Sequence, residues 1–479
     1  MKWSSYQESI FSAVAADDSN LIVNAVAGSG KTTTNVEIAR RANRSGMALA
    51  FNKRIAEELN ARLVDSPVQA LTLNALGHRA WQGSISGRLR LDSDKLFSLA
   101  KEIGFPNQLV EVVSLTRAAK SAGLVPSGLD GAYKTLVEDT PESWEHLISY
   151  YDIDLADYEP ARDLLKASIN AARMGYIDFD DQLYMPTLFG GRWVKQDLIL
   201  IDESQDLSAL QHAMLRRIAA PTSRVVAVGD PWQAIYGFRG ACDNSMTALG
   251  EDFQMKPLPL SVCYRCGKNI VAEARQVVPH IEHYEYAEMG LVENRPKWAT
   301  SGIPPASAIL CRNNAPLMEV AMQLISEHRP VNFLGRDICK GLLKLIDKIA
   351  RVNSKMTIEQ FGSALIAWED REVAMKPKSE ARVRDKADSL RALAEGARDI
   401  SELKSIVGKL QANRADAVVL SSIHRAKGFE WDVVFFLDSF RIPSKYATQA
   451  WQLQQEENCR YIAITRAKRE LYYVEGAPK

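Results

Sequence analysis

The sequence predicts an α/β protein with two parallel-sheet domains, each carrying a mainly helical insertion. Three observations carry this expectation. Apolar runs of strand length at 21–26, 47–51, 197–202, 224–229, 307–311, 417–421 and 432–437 alternate with stretches of helical spacing, as strands joined by helical crossovers do. The runs form two groups, and each is broken by a long segment that reads as helical, roughly 80–170 and 336–412. A chain of 479 residues also exceeds what one compact core accommodates. The expected domains are 1–79 with 171–250, interrupted by 80–170, and 251–335 with 413–479, interrupted by 336–412.

Composition narrows the function classes. Lys and Arg together number 59, as do Asp and Glu, so the net charge is zero. Any grip on a polyanion must then come from a local basic or aromatic surface. No apolar run is long enough to span a bilayer, and Met1–Ile10 has no signal-peptide apolar core. The expectation is a cytoplasmic protein without membrane contact. Six cysteines stand at 242, 263, 266, 311, 339 and 459. Cys263 and Cys266 form a lone CxxC without a second ligand pair, which reads as reduced thiols, with metal binding the alternative. In 336–412 the stretch from Glu380 to Ile400 sets apolar residues at helical spacing among charges, read as a solvated helix face.

The first run, Leu21-Ile22-Val23, leads into Asn24-Ala25-Val26-Ala27-Gly28-Ser29-Gly30-Lys31-Thr32-Thr33 and then a helical stretch. A glycine-rich turn at a helix start presents several N–H groups to an anion, and the helix dipole adds positive charge there. Ala27, Gly28, Ser29 and Gly30 can wrap phosphates, Lys31 can reach the terminal ones, and Thr32 can offer its hydroxyl to Mg2+. Ala25 stands where the general phosphate-loop formula has its first glycine.

Asp202-Glu203 follows the run Asp197–Ile201 and continues as Ser204-Gln205-Asp206. At the carboxyl end of a parallel strand, Asp202 can hold the metal and Glu203 can orient or deprotonate water. After the run at 224–229 comes Asp230-Pro231-Trp232-Gln233, where Gln233 can bond both a γ-phosphate and the attacking water. Phe238 follows closely, either as a ligand-coupled aromatic or as core.

With these residues together, the chain resembles superfamily 1 helicases of the UvrD/Rep type, and some spellings are closer to the F-box DNA helicase branch. Tyr6-Gln7 resembles the N-terminal glutamine motif, which implies that Gln7 reads adenine. Ala25–Thr33 resembles the family's AGAGSGKT, which also lacks the leading glycine. The segment from Leu49 through Phe51 and Asn52 resembles one that touches single-stranded DNA. Thr72–Leu76 resembles T-F-H-S with Asn74 in place of histidine, so Asn74 receives no role. Cys263-Tyr264-Arg265-Cys266 resembles N-Y-R-S, implying that Tyr264 stacks on adenine and Arg265 reaches the γ-phosphate. The segment from Ser421 to Leu437 resembles T-x-H-x-x-K-G-L-E, implying that Glu430 holds the ribose while Ser422 and His424 lie near DNA. Gln455–Lys468 resembles the final motif, in which Arg466 matches the arginine finger.

The resemblance implies two RecA-like motor domains, ATP and Mg2+ as cofactors, and single-stranded DNA with duplex junctions as partners. It further implies cytoplasmic or nucleoid-associated work in repair, recombination or replication, and movement 3′ to 5′. Two arginines from one domain, Arg265 and Arg466, would neutralise charge on the transferred phosphoryl group when the domains close. Motion along a strand needs a sequence-blind grip, which aromatic stacking supplies at about 1–3 kcal/mol per base. Phe51 and Phe238 are the candidates in the first domain, with Arg239 a further DNA-binding residue and a sheet-core role the other reading of Phe51. Three functions stay open: a helicase, a translocase that strips proteins with weak unwinding, and a nucleotide-gated binder with little turnover. The short second insertion leads to the expectation of limited unwinding by an isolated monomer.

Overall fold

The computed structural model describes residues 3–478 apart from 43, 51, 105–107, 152, 236–243, 351–355, 376–379 and 413, and leaves out the side chains of 336 and 337. The chain divides into two compact units, Met1–Ser261 and Val262–Lys479.

In the first unit six strands form a sheet in the order Val68–Thr72, Gly46–Ala50, Gln196–Ile201, Ala219–Gly229, Leu21–Ala25 and Lys256–Leu260. Every pairing is parallel. The central strands are buried on both faces, so Val225–Val228 is an unbroken apolar run. Both edge strands lie outside the apolar runs of the sequence. Lys256–Leu260 places Pro257 opposite Ile22 and Pro259 opposite Asn24. Proline is tolerated there because an edge strand can leave one N–H side unpaired. One face packs Ile10, Phe11, Val36, Ile38 and Leu59 over the sheet, and the other packs Leu76, Met214, Leu215 and Leu249.

The first insertion consists of the helices Lys95–Ile103, Leu109–Ala122, Pro141–Tyr150 and Glu159–Arg173. It has a core of its own around Leu96, Val112, Leu115, Trp144, Leu164 and Ile169, joined by Trp81, Tyr184, Met185 and Leu210 from flanking helices. Inside lies an ionic box. Lys120 Nζ sits 2.8 Å from Asp178 Oδ2 and 2.7 Å from Asp181 Oδ1, and Lys95 Nζ sits 2.5 Å from Asp181 Oδ2.

The second unit holds another six-stranded, all-parallel sheet, ordered Leu291–Arg295, Ala467–Val474, Trp431–Leu437, Ala308–Cys311, Val418–Ser422 and Val331–Phe333. Its insertion comprises the helices Arg336–Ala350, Ile358–Met375, Glu380–Ala394 and Ile400–Lys409. These share one continuous core with the sheet: Phe361, Leu390 and Leu403 pack in the same cluster as Ile309, Phe333, Leu420 and Phe435. Asp385 fastens this arrangement by accepting from the N–H groups of Asn314 and Ala315 at 2.9 and 3.1 Å and from Asn314 Nδ2 at 2.7 Å. Among the described residues no helix is long and apolar enough to cross a membrane.

Candidate functional site

Strand Leu21–Ala25 runs into the glycine turn, where Gly28 and Gly30 adopt φ of +67° and +82°. Residues with a Cβ avoid that region, so the turn depends on glycine at both places. The helix Lys31–Ala42 starts at once, pointing its first N–H groups into the curl. Ala27 is buried, and the buried Ser29 hydroxyl has no partner among the described residues. Thr32 Oγ1 donates to Asp202 Oδ2 at 3.2 Å across 170 residues of chain. Lys31 Nζ lies 3.3 Å from Glu203 Oε2. Burial would lower the lysine pKa, but Glu203, Asp230 and Asp202 together outweigh it and keep the ammonium charged.

Neighbouring predicted residues make local contacts. Thr33 Oγ1 accepts from Arg62 Nη2 at 2.9 Å. Gln7 completes a capping box with Ser4, and its Nε2 donates to Thr34 Oγ1 at 3.1 Å beside Gly30. Asn52 caps the helix Lys53–Arg62 by accepting from the Ile55 N–H.

Strand Gln196–Ile201 delivers the acids. Asp202 is pushed up to about 6 by burial and by the Glu203 charge, against the pull of Lys31. Glu203 stands at φ +52°, a left-handed conformation that costs an L-residue about 1–2 kcal/mol. Its backbone N–H donates to Asp202 Oδ1 at 3.1 Å. Gln233, the predicted water contact, donates through Nε2 to Asp230 Oδ2 at 2.6 Å. Two buried side chains at this centre, Asp230 and Gln205, have no role assigned from sequence. They lie within the quoted motifs, yet spacing alone does not show that Gln205 turns back onto Glu203 at 2.6 Å. Nor does it show that Asp230 faces Lys31 closely enough for the lysine to oppose the rise that burial imposes on its pKa.

A groove of about 430 Å³ leads from Asp202 and Glu203 past Leu73 and Asn74 to Asp180 and to Lys120 of the first insertion. Phe179 lines it and is 53% exposed, an aromatic absent from the sequence candidates. Asn74 Nδ2 donates to the Phe179 carbonyl at 2.8 Å and to Gln182 Oε1 at 3.1 Å. Phe51, Phe238 and Arg239 lie outside the described residues.

In the second unit, Tyr264 is 37% exposed and packs on Tyr284 with ring centroids 5.0 Å apart. Arg265 Nε lies 2.5 Å from Glu430 Oε2, and Lys468 Nζ lies 3.0 Å from Glu430 Oε1. Burial would raise the Glu430 pKa, but these two cations hold it below the ordinary value. Arg466 is buried and donates to the carbonyls of Phe429 at 2.9 Å and Ile462 at 3.2 Å. Ser422 precedes the short helix Ile423–Ala426, and His424 Nε2 meets Cys459 Sγ at 3.7 Å. Cys263 and Cys266 are buried free thiols. The Cys266 thiol and two backbone N–H groups bond the Cys263 sulfur and lower its pKa to about 7.

A parallel sheet bearing a phosphate loop, a hydroxyl–carboxylate pair and a second acid matches known proteins along nearly the whole chain. The UvrD/REP helicase N-terminal domain matches residues 6–254, and the UvrD-like helicase C-terminal domain matches residues 377–475. F-box DNA helicase protein 1 of Schizosaccharomyces pombe is 26% identical over 94% of this chain and 55% of its own length. ATP-dependent DNA helicase UvrD2 of Mycobacterium tuberculosis is 25% identical over 95% of this chain and 76% of its own. DNA helicase II of Escherichia coli is 27% identical over 73% and 55%. The chain thus spans little more than half the length of two of these three relatives. With both family domains present in order, and the first matching more than half of the chain, the chain belongs to the UvrD/REP helicase family.

Proposed function

We propose that this chain is an ATP-hydrolysing motor that translocates on single-stranded DNA, 3′ to 5′, and separates duplex at junctions. The contact of Thr32 with Asp202, beside Lys31 and Glu203, carries the reading. The loop N–H groups and Lys31 bind the phosphates, Glu203 orients and deprotonates the attacking water, and Gln233 contacts both water and γ-phosphate. Gln7 and Tyr264 hold the adenine and Glu430 the ribose.

Mg2+ fits the residues present. The Thr32 hydroxyl and the buried Asp202 carboxylate converge on one point, and the Ser29 hydroxyl, without a partner among the described residues, lies on the same loop. Held by Thr32 and Asp202, the ion would supply neutralising charge to the phosphate oxygens. Arg265 and Arg466 act on the transferred phosphoryl group in the ATP-bound form, where Arg265 exchanges the Glu430 carboxylate for phosphate. Loss of the γ-phosphate then releases the two domains. Phe51, Asn52, Phe238, Arg239, Ser422 and His424 contact the strand, and the exposed ring of Phe179 adds a stacking surface. With zero net charge, affinity for DNA is moderate and falls with salt.

ATP hydrolysis with and without single-stranded DNA tests this proposal. Activity should rise with DNA and vanish in Lys31→Ala and Glu203→Gln, and Arg466→Ala should lose about 10³-fold or more in kcat. Hydrolysis that survives both of the first two changes overturns the site. A labelled duplex with a 3′ or a 5′ tail then decides polarity. Robust translocation with little strand separation would select the protein-stripping alternative.

A further inference from the structure

We infer that Gln205 is a positioning residue for Glu203, clamping the water-orienting carboxylate to the backbone that carries Gln233. The inference rests on the proposed role of Glu203 as the group that orients water. Gln205 is 2% exposed and makes two bonds in opposite directions. Its Oε1 accepts the Asp230 backbone N–H at 2.9 Å, and its Nε2 donates to Glu203 Oε2 at 2.6 Å. The amide orientation follows from chemistry: a backbone N–H can only donate, so the carbonyl end faces Asp230 and the NH2 end faces the carboxylate. The seat is tight. A Cβ at Gly229 would stand 2.7 Å from Gln205 Oε1 and 2.5 Å from Ser204 Oγ, so the close approach needs glycine there.

Two features give this clamp a task. Glu203 has a left-handed backbone as the N-cap of the short 3-10 helix Ser204–Asp206, and its side chain makes no capping bond to that helix. Lys31 holds the same oxygen, Oε2, at 3.3 Å. Once Lys31 turns to phosphate, the Gln205 amide remains as a hold on that oxygen. Asp230, the other end of the clamp, also receives the Gln233 amide. A shift of the Asp230–Gln233 turn is therefore transmitted through one side chain to the carboxylate that acts on water.

The test is DNA-stimulated ATP hydrolysis by the full chain and by four variants. Gln205→Met keeps the shape and removes the donor. Gln205→Glu keeps an acceptor for the Asp230 N–H and sets a second charge beside Glu203. Glu203→Gln and the double variant Glu203→Gln/Gln205→Met complete a cycle. The expected result is a loss of about 10- to 100-fold in kcat for both Gln205 variants, with KM for ATP held within about three-fold. Because Gln205 acts through Glu203, Gln205→Met should cost nothing further in the Glu203→Gln background, read as the residual single-turnover rate with enzyme in excess, where steady-state hydrolysis is lost. Wild-type kcat in both Gln205 variants overturns the inference, as does an additive loss in the double variant or a loss confined to KM. If Gln205→Met does not fold, Gln205→Glu carries the same cycle, and failure of both to fold marks the residue as structural and overturns the inference. Full hydrolysis in Glu203→Gln alone defeats instead the role proposed for Glu203.

Discussion

The two helical insertions are held by different forces. The first has a core of its own, apart from both faces of its sheet, with two lysines and two aspartates buried against one another inside it. The second shows no separate core among the described residues, because Phe361, Leu390 and Leu403 continue the cluster that contains the sheet residues Phe333, Leu420 and Phe435. Hydrophobic burial is non-directional and grows with area, so the second insertion and its sheet stand or fall together. A buried ion pair is directional and intolerant of losing one partner. The first insertion is thus fixed by a few contacts whose failure is abrupt.

Lys120→Met gives the largest expected effect on this contrast. It leaves Asp178 and Asp181 without their shared cation and should cost about 3–5 kcal/mol, read by denaturant unfolding. A cost below about 1 kcal/mol would show that the box does not hold the first insertion. Next is Leu390→Ala, fully buried in the shared core, at about 2–5 kcal/mol. Hydrogen exchange should show Val418–Ser422 and Trp431–Leu437 losing protection together with the insertion helices. Exchange confined to the helices would mean that the two parts are separable after all.

Acid separates the insertions further. Burial would raise the Asp178 pKa, but Lys120 and Lys95 outweigh it and bring it down to about 2. A depressed carboxyl lends stability that is complete above its unfolded value near 4 and is lost as pH falls toward 2. Asp180 and Asp181 beside it are shifted upward by burial and by the Asp178 charge, so their protonation offsets part of this loss. Asp139, like Asp178, is held below the ordinary range: burial opposes this, but Arg162, Ser127 and the Trp144 indole all bond the carboxylate. Trp144 fluorescence should therefore report the first insertion loosening in this window while the second stays protected. Simultaneous loss of both would contradict the comparison. The smallest effect belongs to Asn74→Ala, which removes the tie to Phe179 and Gln182 for about 1 kcal/mol in a melting experiment.

Limited unwinding by an isolated monomer is the expectation that the short second insertion motivates. Unaided unwinding of long duplexes by a monomer in single-turnover assays would overturn it.

Much of the phosphate site was legible because its signals are local. Gly28 and Gly30 announce a left-handed turn, Lys31 and Thr32 follow at fixed offsets, and an apolar strand ends at Asp202. The edge strands were not legible: Pro257 and Pro259 break the apolar pattern of Lys256–Leu260, which forms only because a neighbour offers bonds on one side. Gln205 was equally hidden, since its partners depend on a turn backwards at Glu203 and on a strand beginning at Ala219.

Short-range rules in the chain settled where the central strands run and which glycine loop would curl at a helix start. Backbone sterics and apolar periodicity act over a few residues and leave their mark on neighbouring letters. Folding alone decided that Lys120 would meet carboxylates 58 and 61 residues away, that Gln205 would face Glu203, and that one insertion would merge with its sheet while the other stood apart. Those outcomes depend on distances between remote segments, and charge and hydrogen-bond energies change steeply with distance and burial.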